Sequence, residues 1–143
     1  MTETMTSRQR VTAAINHREP DRMPIDLGMY TASGISAFAY HALRQHLGLP
    51  VDNIEIIDGV QFTARVDDDI LRRLHCDCLF LRPPDQTQGR WSPRPPYSFI
   101  VPPDYKPVLN SKGEWVVEKG AQSMRMPRGG YFFDGDWIQV DSP

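Results

Sequence analysis

The sequence predicts an α/β fold that ends in an antiparallel β-meander, and three observations support this prediction. Apolar residues recur at helical spacing in two early segments, 7–17 and 35–47. Short apolar segments at 23–27 and 76–81 have the length and the neighbouring prolines that are typical of strands. Between residues 108 and 126, apolar residues alternate and are separated by turns that contain glycine, which indicates consecutive antiparallel strands.

The first helix is predicted to begin at Thr6 and to end near His17. Thr6 and Gln9 have the spacing of a capping box, in which both side chains bond backbone N–H groups that the first helical turn leaves free. Pro20 prevents the helix from continuing and biases the residue before it away from helical geometry. A narrow apolar stripe is expected to face a core, and it consists of Val11, Ala14 and Ile15.

A strand and a second helix are predicted next. In the segment 23–27, apolar residues alternate with Pro24 and Asp26, and a proline near the start of a strand costs little. The second helix is capped by Ser33 or Ser36 and stops at Gly48, which precedes Leu49 and Pro50. Its expected core stripe contains Ile35, Phe38, Ala39, Ala42, Leu43, His46 and Leu47.

The middle of the chain combines weaker signals. The β-branched segment 53–58 predicts a strand or an extended segment, with a helix over 54–65 as the alternative. Asp67 is suited to cap a short helix with acidic residues in its first turn and arginines in its last. A buried strand is expected at 76–81. Eight prolines interleaved with aromatic residues then predict an irregular excursion over 83–107 that lies against a surface.

The domain prediction is one incomplete domain over 1–143. It contains helices and early strands in 1–82, the proline-rich and aromatic excursion in 83–107, and the β-meander in 108–134. In the meander, Val108, Trp115 and Ser123 begin successive strands, and Tyr131–Phe133 is expected to form a further short strand.

Composition excludes several classes of partner. The net charge is -2 and the pI is about 6.0, so the chain lacks the concentrated basic charge that nucleic acids or anionic membranes require. No apolar run approaches the length of a membrane span, and the first residues lack the pattern of a signal peptide. We therefore expect a cytoplasmic protein with no nucleic-acid or membrane partner.

The two cysteines do not predict a disulfide or a metal site. Cys76 and Cys78 are separated by one residue, and a bridge between them would be strained. His75 and Asp77 add potential zinc ligands, but structural zinc sites prefer a wider cysteine spacing and four ligands. Because the cysteines alternate along a predicted strand, we interpret them as small apolar residues and expect no metal in this chain.

Five segments together resemble the uroporphyrinogen decarboxylase-like family, which also contains the methylcobamide:thiol methyltransferases. They occur in the family's order and spacing across nearly the whole chain. These segments are Ser7–Gly28, Tyr40–Pro50, Val66–Leu74 with Asp77 after it, Gly113–Val117, and Met126–Asp134. The resemblance implies a (β/α)₈ barrel of the TIM type, whose usual length is about 250 residues. The chain would then be the N-terminal part of such a barrel, with an inserted β-meander.

The resemblance also implies an activity for full-length relatives. In the decarboxylases, the first strand is followed by an Arg-Gln-Ala-Gly-Arg stretch that forks onto substrate carboxylates, whereas residues 29–33 read Met-Tyr-Thr-Ala-Ser here. The methyltransferase-like branch is therefore favoured. Its full-length relatives are expected to transfer a methyl group between a corrinoid and a thiol, or to act on a related small molecule. The zinc ligands of these methyltransferases are not among these 143 residues.

The chain by itself is expected to hold no cofactor and to be inactive. Two alternatives stay open: a non-enzymatic, split or truncated chain that acts through a copy of itself or a complementing C-terminal chain, and a uroporphyrinogen decarboxylase. No catalytic residue is assigned within the chain.

Three residues are candidates for substrate binding. Asp26 lies near the end of the first predicted strand, where barrel enzymes place functional groups. Tyr30 lies in the stretch that replaces the decarboxylase arginines, and Asp58 ends the second apolar segment. The alternative for both aspartates is structural, because a carboxylate also accepts hydrogen bonds from the backbone of a following loop.

Overall fold

The computed structural model describes residues 4–81, 89–119 and 122–135. The chain divides into two compact units. Unit 1 comprises Met1–Ile35 and Arg65–Pro84, and unit 2 comprises Ser36–Ala64 and Asp85–Pro143. Among the described residues, no helix is long and apolar enough to cross a membrane.

The described helices are short and begin close to the predicted positions. Helix α1 is Ser7–Ile15, α2 is Ala37–His46, α3 is Asp68–Arg73, and a 3₁₀ turn covers Thr31–Ser33. The capping box of α1 is confirmed, since the Gln9 N–H donates to the Thr6 Oγ1 and the Thr6 N–H donates to the Gln9 Oε1 at 2.9 Å.

The predicted core face is wrong for α1 and only partly correct for α2, in which Phe38 is buried as expected but Ala39, Ala42 and His46 are exposed. In α1 the buried residue is Arg10, with 1% of its surface exposed, whereas Ile15 is 71% exposed. In α2 the buried face is rotated from the expected stripe. It consists of Ala37, Phe38, Tyr40, His41 and Arg44. Packing partners decide which face is covered, and the spacing of apolar residues within one helix does not reveal them.

The described strands form small antiparallel sheets. The ranges are β1 Ile35–Ser36, β2 Ile56–Asp58, β3 Thr63–Ala64, β4 Gly89–Trp91, β5 Phe99–Val101, β6 Val108–Leu109, β7 Trp115–Lys119, β8 Gln122–Met126 and β9 Asp134–Gly135. Their orders are β1-β3-β2, β4-β5 and β6-β7-β8-β9. The strand alternative at 53–58 is thus correct for β2, and the predicted meander is present as β6, β7 and β8.

The last sheet extends the meander by one strand, at a position that differs from the prediction. Strand β9 is Asp134–Gly135, which pairs with β8 through Arg125 and Met124, and no strand forms at Tyr131–Phe133. The predicted excursion over 83–107 falls partly outside the described residues. Its described part contains the β4-β5 hairpin, in which Trp91 pairs with Phe99.

The core of unit 2 is aromatic. Phe38 from α2 contacts the rings of Phe62 and Phe99 at centroid distances of 5.1 and 5.4 Å. Trp91 contacts Phe62 and Trp115, at 5.4 and 5.3 Å, in edge-to-face geometry. Such pairs stabilise a core beyond the area that they bury, so these rings fix how the α2 helix and the β4-β5 hairpin pack within unit 2.

The expected TIM-type barrel is contradicted. The described residues contain three short helices and antiparallel sheets of two to four strands, and this arrangement is not a partial (β/α)₈ barrel. The segments 23–27 and 76–81, predicted as the first barrel strands, contain no strand and form no ladder. One backbone bond joins them, from the Asp77 N–H to the Ile25 carbonyl at 2.7 Å. The strands of a parallel barrel pair with their neighbours in a continuous ladder, and neither segment belongs to a sheet among the described residues.

Candidate functional site

A groove of about 920 Å³ lies in unit 2 beside the β2-β3 hairpin. Its apolar wall comes mainly from β2, the hairpin and the meander strands, and its charged rim comes from the hairpin, the loop after β5 and the end of β7. The lining residues that matter chemically are Ile57, Val60, Met124, Asp58, Asp104, Lys106 and Glu118. A groove of this size with an apolar wall and few polar groups is typical of a small-molecule site.

Asp58 is held at one edge of this groove by its own hairpin. The Val60 and Gln61 N–H groups donate to the Asp58 Oδ1 at 2.8 and 3.0 Å, which fixes the carboxylate in an Asx turn. The structural interpretation of Asp58 is therefore correct for one oxygen. Within the described residues, the Oδ2 atom has no hydrogen-bond partner, and Asp58 lines the groove.

Tyr105 closes the groove next to Asp58. Its hydroxyl donates to the Gly59 carbonyl at 2.9 Å, and its ring lies so close to Gly59 that an added Cβ would be 2.5 Å from Cε2. Burial, together with the negative charge of Asp58, raises the pKa of the Tyr105 hydroxyl above its usual range. The phenol therefore stays protonated and serves as a hydrogen-bond donor that fixes the hairpin.

Three further charged groups line the groove and are exposed. Their side chains, those of Asp104, Lys106 and Glu118, make no ion pair or hydrogen bond with another described residue. With Asp58, the lining therefore carries three carboxylates and one ammonium group, which gives this part of the surface a negative potential.

The other two predicted site residues lie in unit 1. The Met29 N–H donates to the Asp26 Oδ1 at 3.0 Å, so Asp26 stabilises the turn that follows it. Tyr30 is exposed and precedes the 3₁₀ turn, where the Ser33 hydroxyl bonds to its carbonyl. Because Asp58 belongs to unit 2, the three candidates do not form a single described site.

Unit 1 contains a cluster of charged side chains that the sequence did not predict. The Arg10 guanidinium forks onto Asp21, with Nε to Oδ1 at 2.7 Å and Nη2 to Oδ2 at 3.1 Å. Arg10 also binds Asp77, and Arg22 binds Asp77 through Nη1 at 2.7 Å. We refer to Arg10, Asp21, Arg22 and Asp77 as the ion cluster. All four residues belong to the segments that resemble the family, and this shared resemblance was the one signal that could have indicated their contact.

The ion cluster lowers the pKa of both carboxyl groups. Burial alone would raise the pKa of Asp77, but hydrogen bonds from the Ile25 N–H, from Arg22 and from Arg10 outweigh it and lower the value to about 2. The Arg10 hydrogen bond and the Met5 N–H hold the pKa of Asp21 well below its usual range. Both carboxylates are therefore charged at neutral pH. The cluster thus consists of ion pairs that connect distant segments inside unit 1.

The described metal-ligating side chains do not provide the zinc site of the resembling methyltransferases. No group of three or more His, Cys, Asp or Glu residues converges anywhere in the described part of the chain. Burial, with Asp26 and Asp77 nearby, raises the pKa of the Cys76 thiol, and burial and the same two aspartates raise that of Cys78. This environment therefore favours the protonated thiol over the thiolate at both cysteines.

Unit 1 also has apolar side chains at its surface. Met23 and Ile25 in the segment 23–27 are 80% and 39% exposed, and Leu79 and Leu81 in the segment 76–81 are 63% and 90% exposed. We refer to these four residues as the apolar surface set. Exposed apolar residues are ordinary when they are scattered, but these occur in two segments that are hydrogen-bonded to each other.

Comparison with protein-family models, with curated proteins and with solved structures gave no match to this chain.

Proposed function

We propose that this chain acts as an interaction protein that pairs with a second copy of itself through the apolar surface set. The observation that supports this proposal is the exposure of Leu79 and Leu81 on a segment that is hydrogen-bonded to the segment carrying the exposed Met23 and Ile25. Burying four such side chains on each copy would remove apolar area from water, the main favourable term in association.

Backbone groups of the same segment support pairing with another polypeptide. Within the described residues, the N–H groups of Cys78, Leu79 and Phe80 have no hydrogen-bond partner. A segment with unpaired backbone N–H groups can accept an added strand. A second polypeptide that pairs with this segment would accept hydrogen bonds from these N–H groups and would also cover Leu79 and Leu81.

Charge distribution favours a second copy as the partner. The four members of the apolar surface set are uncharged, and the nearby ion cluster already pairs its arginines with its aspartates. Two copies can therefore approach through this surface without net repulsion. A two-fold contact also brings the same segment from both sides, so that each copy supplies the strand that the other lacks.

The kinship with the uroporphyrinogen decarboxylase-like family, and with its corrinoid-dependent methyltransferase-like branch, remains part of this proposal. Its support is that Arg10, Asp21, Arg22 and Asp77, from two resembling segments, contact one another in one cluster. Corrinoid and zinc chemistry would then depend on residues outside this chain. The chain contributes a surface for assembly and not a catalytic centre.

Sedimentation velocity over a range of protein concentrations tests the proposal. We expect a reversible dimer, and Leu81→Glu should weaken dimerisation by about tenfold or more, because the interface would have to bury an unpaired charge. The matched control is Leu109→Glu in unit 2, where another exposed leucine receives the same charge. A concentration-independent monomer, or an equal effect of both substitutions, would contradict the proposal.

A further inference from the structure

We propose that the groove of unit 2 binds an organic cation with an apolar body, with the cationic group at Asp58. This inference is independent of the association through unit 1, because it concerns a different unit and a different chemistry. It extends the prediction that Asp58 contacts a small molecule, since it specifies the charge and shape of that molecule.

The position of Asp58 favours a cation. One carboxylate oxygen is held by two backbone N–H groups, so the side chain is fixed in place without an ionic partner among the described residues. A fixed carboxylate loses little conformational entropy when it binds a cation, and its second oxygen is available. The Tyr105 hydroxyl does not compete for it, because it donates to the Gly59 carbonyl.

The rim strengthens this preference. Asp104 and Glu118 add two negative charges, and Lys106 is the one basic side chain among the described residues that line the groove. None of the three is neutralised by a described neighbour. The resulting negative potential attracts cations and disfavours anions of equal size, an effect that salt screens because the groups are exposed.

The wall of the groove explains why an inorganic ion is not the expected ligand. Ile57, Val60 and Met124 line the space beside Asp58, and no group of three metal-ligating residues occurs in the described part of the chain. A hard metal ion requires several oxygen ligands, whereas an ammonium group needs a single carboxylate and places its apolar body against the wall. The volume of about 920 Å³ also exceeds what an ion fills.

A pair of probes with the same apolar body and opposite charge tests the proposal. In NMR titrations of the full chain, phenethylamine should shift the amides of groove residues with a Kd on the order of millimolar, as expected for a ligand of this size. We expect 3-phenylpropionate to bind about tenfold more weakly or not at all, and added salt to weaken phenethylamine binding. Equal affinities for the two probes, amide shifts elsewhere, or no binding up to about 20 mM would overturn the proposal.

Three variants separate the groove from general surface charge. Asp58→Asn keeps an Oδ1 acceptor for the hairpin and removes the charge, so phenethylamine affinity should fall about five- to tenfold. The double variant Asp104→Asn/Glu118→Gln alters exposed residues and should lower affinity about two- to fivefold. The matched control is Asp52→Asn, an exposed carboxylate of unit 2 outside the groove, which should leave affinity unchanged. A control effect as large as that of Asp58→Asn would contradict the assignment.

Discussion

Asp77 is the residue on which the polar interior of unit 1 depends. Its side chain is fully buried and binds Arg10, Arg22 and the Ile25 N–H. A buried ion pair adds little stability over an apolar replacement, but removal of one partner leaves the opposite charge without compensation. We therefore expect Asp77 to tolerate very few substitutions, although its sequence neighbours are only Cys76 and Cys78.

Asp77→Asn is therefore expected to destabilise unit 1 by about 2 to 4 kcal/mol. The asparagine still accepts the Ile25 N–H, so the loss reports mainly on the charge. Hydrogen exchange of the α1 amides, followed by NMR, measures this change. Glu19→Gln, an exposed acidic residue of unit 1, is the matched control and should change stability by less than about 0.5 kcal/mol. Equal protection of the α1 amides in both variants would show that the ion cluster does not stabilise unit 1.

The same experiment has a defined pH dependence. The pKa of Asp77 is about 2 in the folded chain, compared with 3.8 for an unperturbed aspartate, and the pKa of Asp21 is also lowered. The two carboxylates contribute fully to the stability of unit 1 above about pH 5. This contribution is lost as the pH falls through their pKa values in the folded chain, because the unfolded chain then binds more protons. Protection of α1, corrected for the intrinsic exchange rate, should thus fall between about pH 4 and pH 2, and less steeply in Asp77→Asn.

Helix α1 shows what a capping box contributes at the scale of an element. Nine residues make a helix that is too short to be stable on its own, so its start depends on Thr6 and Gln9 and its position on Arg10. Its apolar residues contribute little, since Ile15 is largely exposed. The helix is held by a cap and by an ionic contact, in contrast to α2, which packs against aromatic rings.

Thr6→Ala should destabilise α1 by about 1 kcal/mol, because the Gln9 N–H loses its acceptor. The matched control is Thr12→Ala, an exposed position in the middle of the same helix, where alanine has the higher helix propensity. Amide exchange of the first turn of α1 distinguishes the two variants. If Thr12→Ala were the more damaging substitution, the cap would not be the element that starts this helix.

At the scale of the whole molecule, the chain combines two units with different chemistry. Unit 1 has an ionic interior and exposed apolar segments, whereas unit 2 has an aromatic core and a groove with an acidic rim. The proposed self-association belongs to the first and the proposed cation site to the second. Their tests are separate, because sedimentation reports on Leu81 and the probe titrations report on Asp58.

The loop that follows the segment 23–27 argues against porphyrinogen decarboxylation. Residues 29–33 carry no charged side chain, and the structure places the last three of them in a 3₁₀ turn. A polycarboxylate substrate would find no arginine clamp there. We expect no loss of carboxylate groups from uroporphyrinogen incubated with the chain, as measured by chromatography of the oxidised products. Turnover that rises in proportion to chain concentration would refute this prediction.

Local signals in the sequence predicted the features that depend on near neighbours. The capping box of α1, the short α3 and the meander from Val108 to Met126 follow from residues a few positions apart. The candidate Asp58 was also found this way, because it ends an apolar segment and precedes a glycine. This local signal predicted the turn at Asp58 and not the groove, and the binding role of Asp58 stays a prediction.

The sequence by itself determined where helices and turns begin, because caps, prolines and glycines act within one turn of the chain. Only the tertiary structure decided which helix faces are buried, that 23–27 and 76–81 form no ladder, and that Asp58, Tyr105 and Glu118 line one groove. The physical reason is distance along the chain. Arg10 is buried by Asp77, which lies 67 residues away, and no local pattern records such a contact.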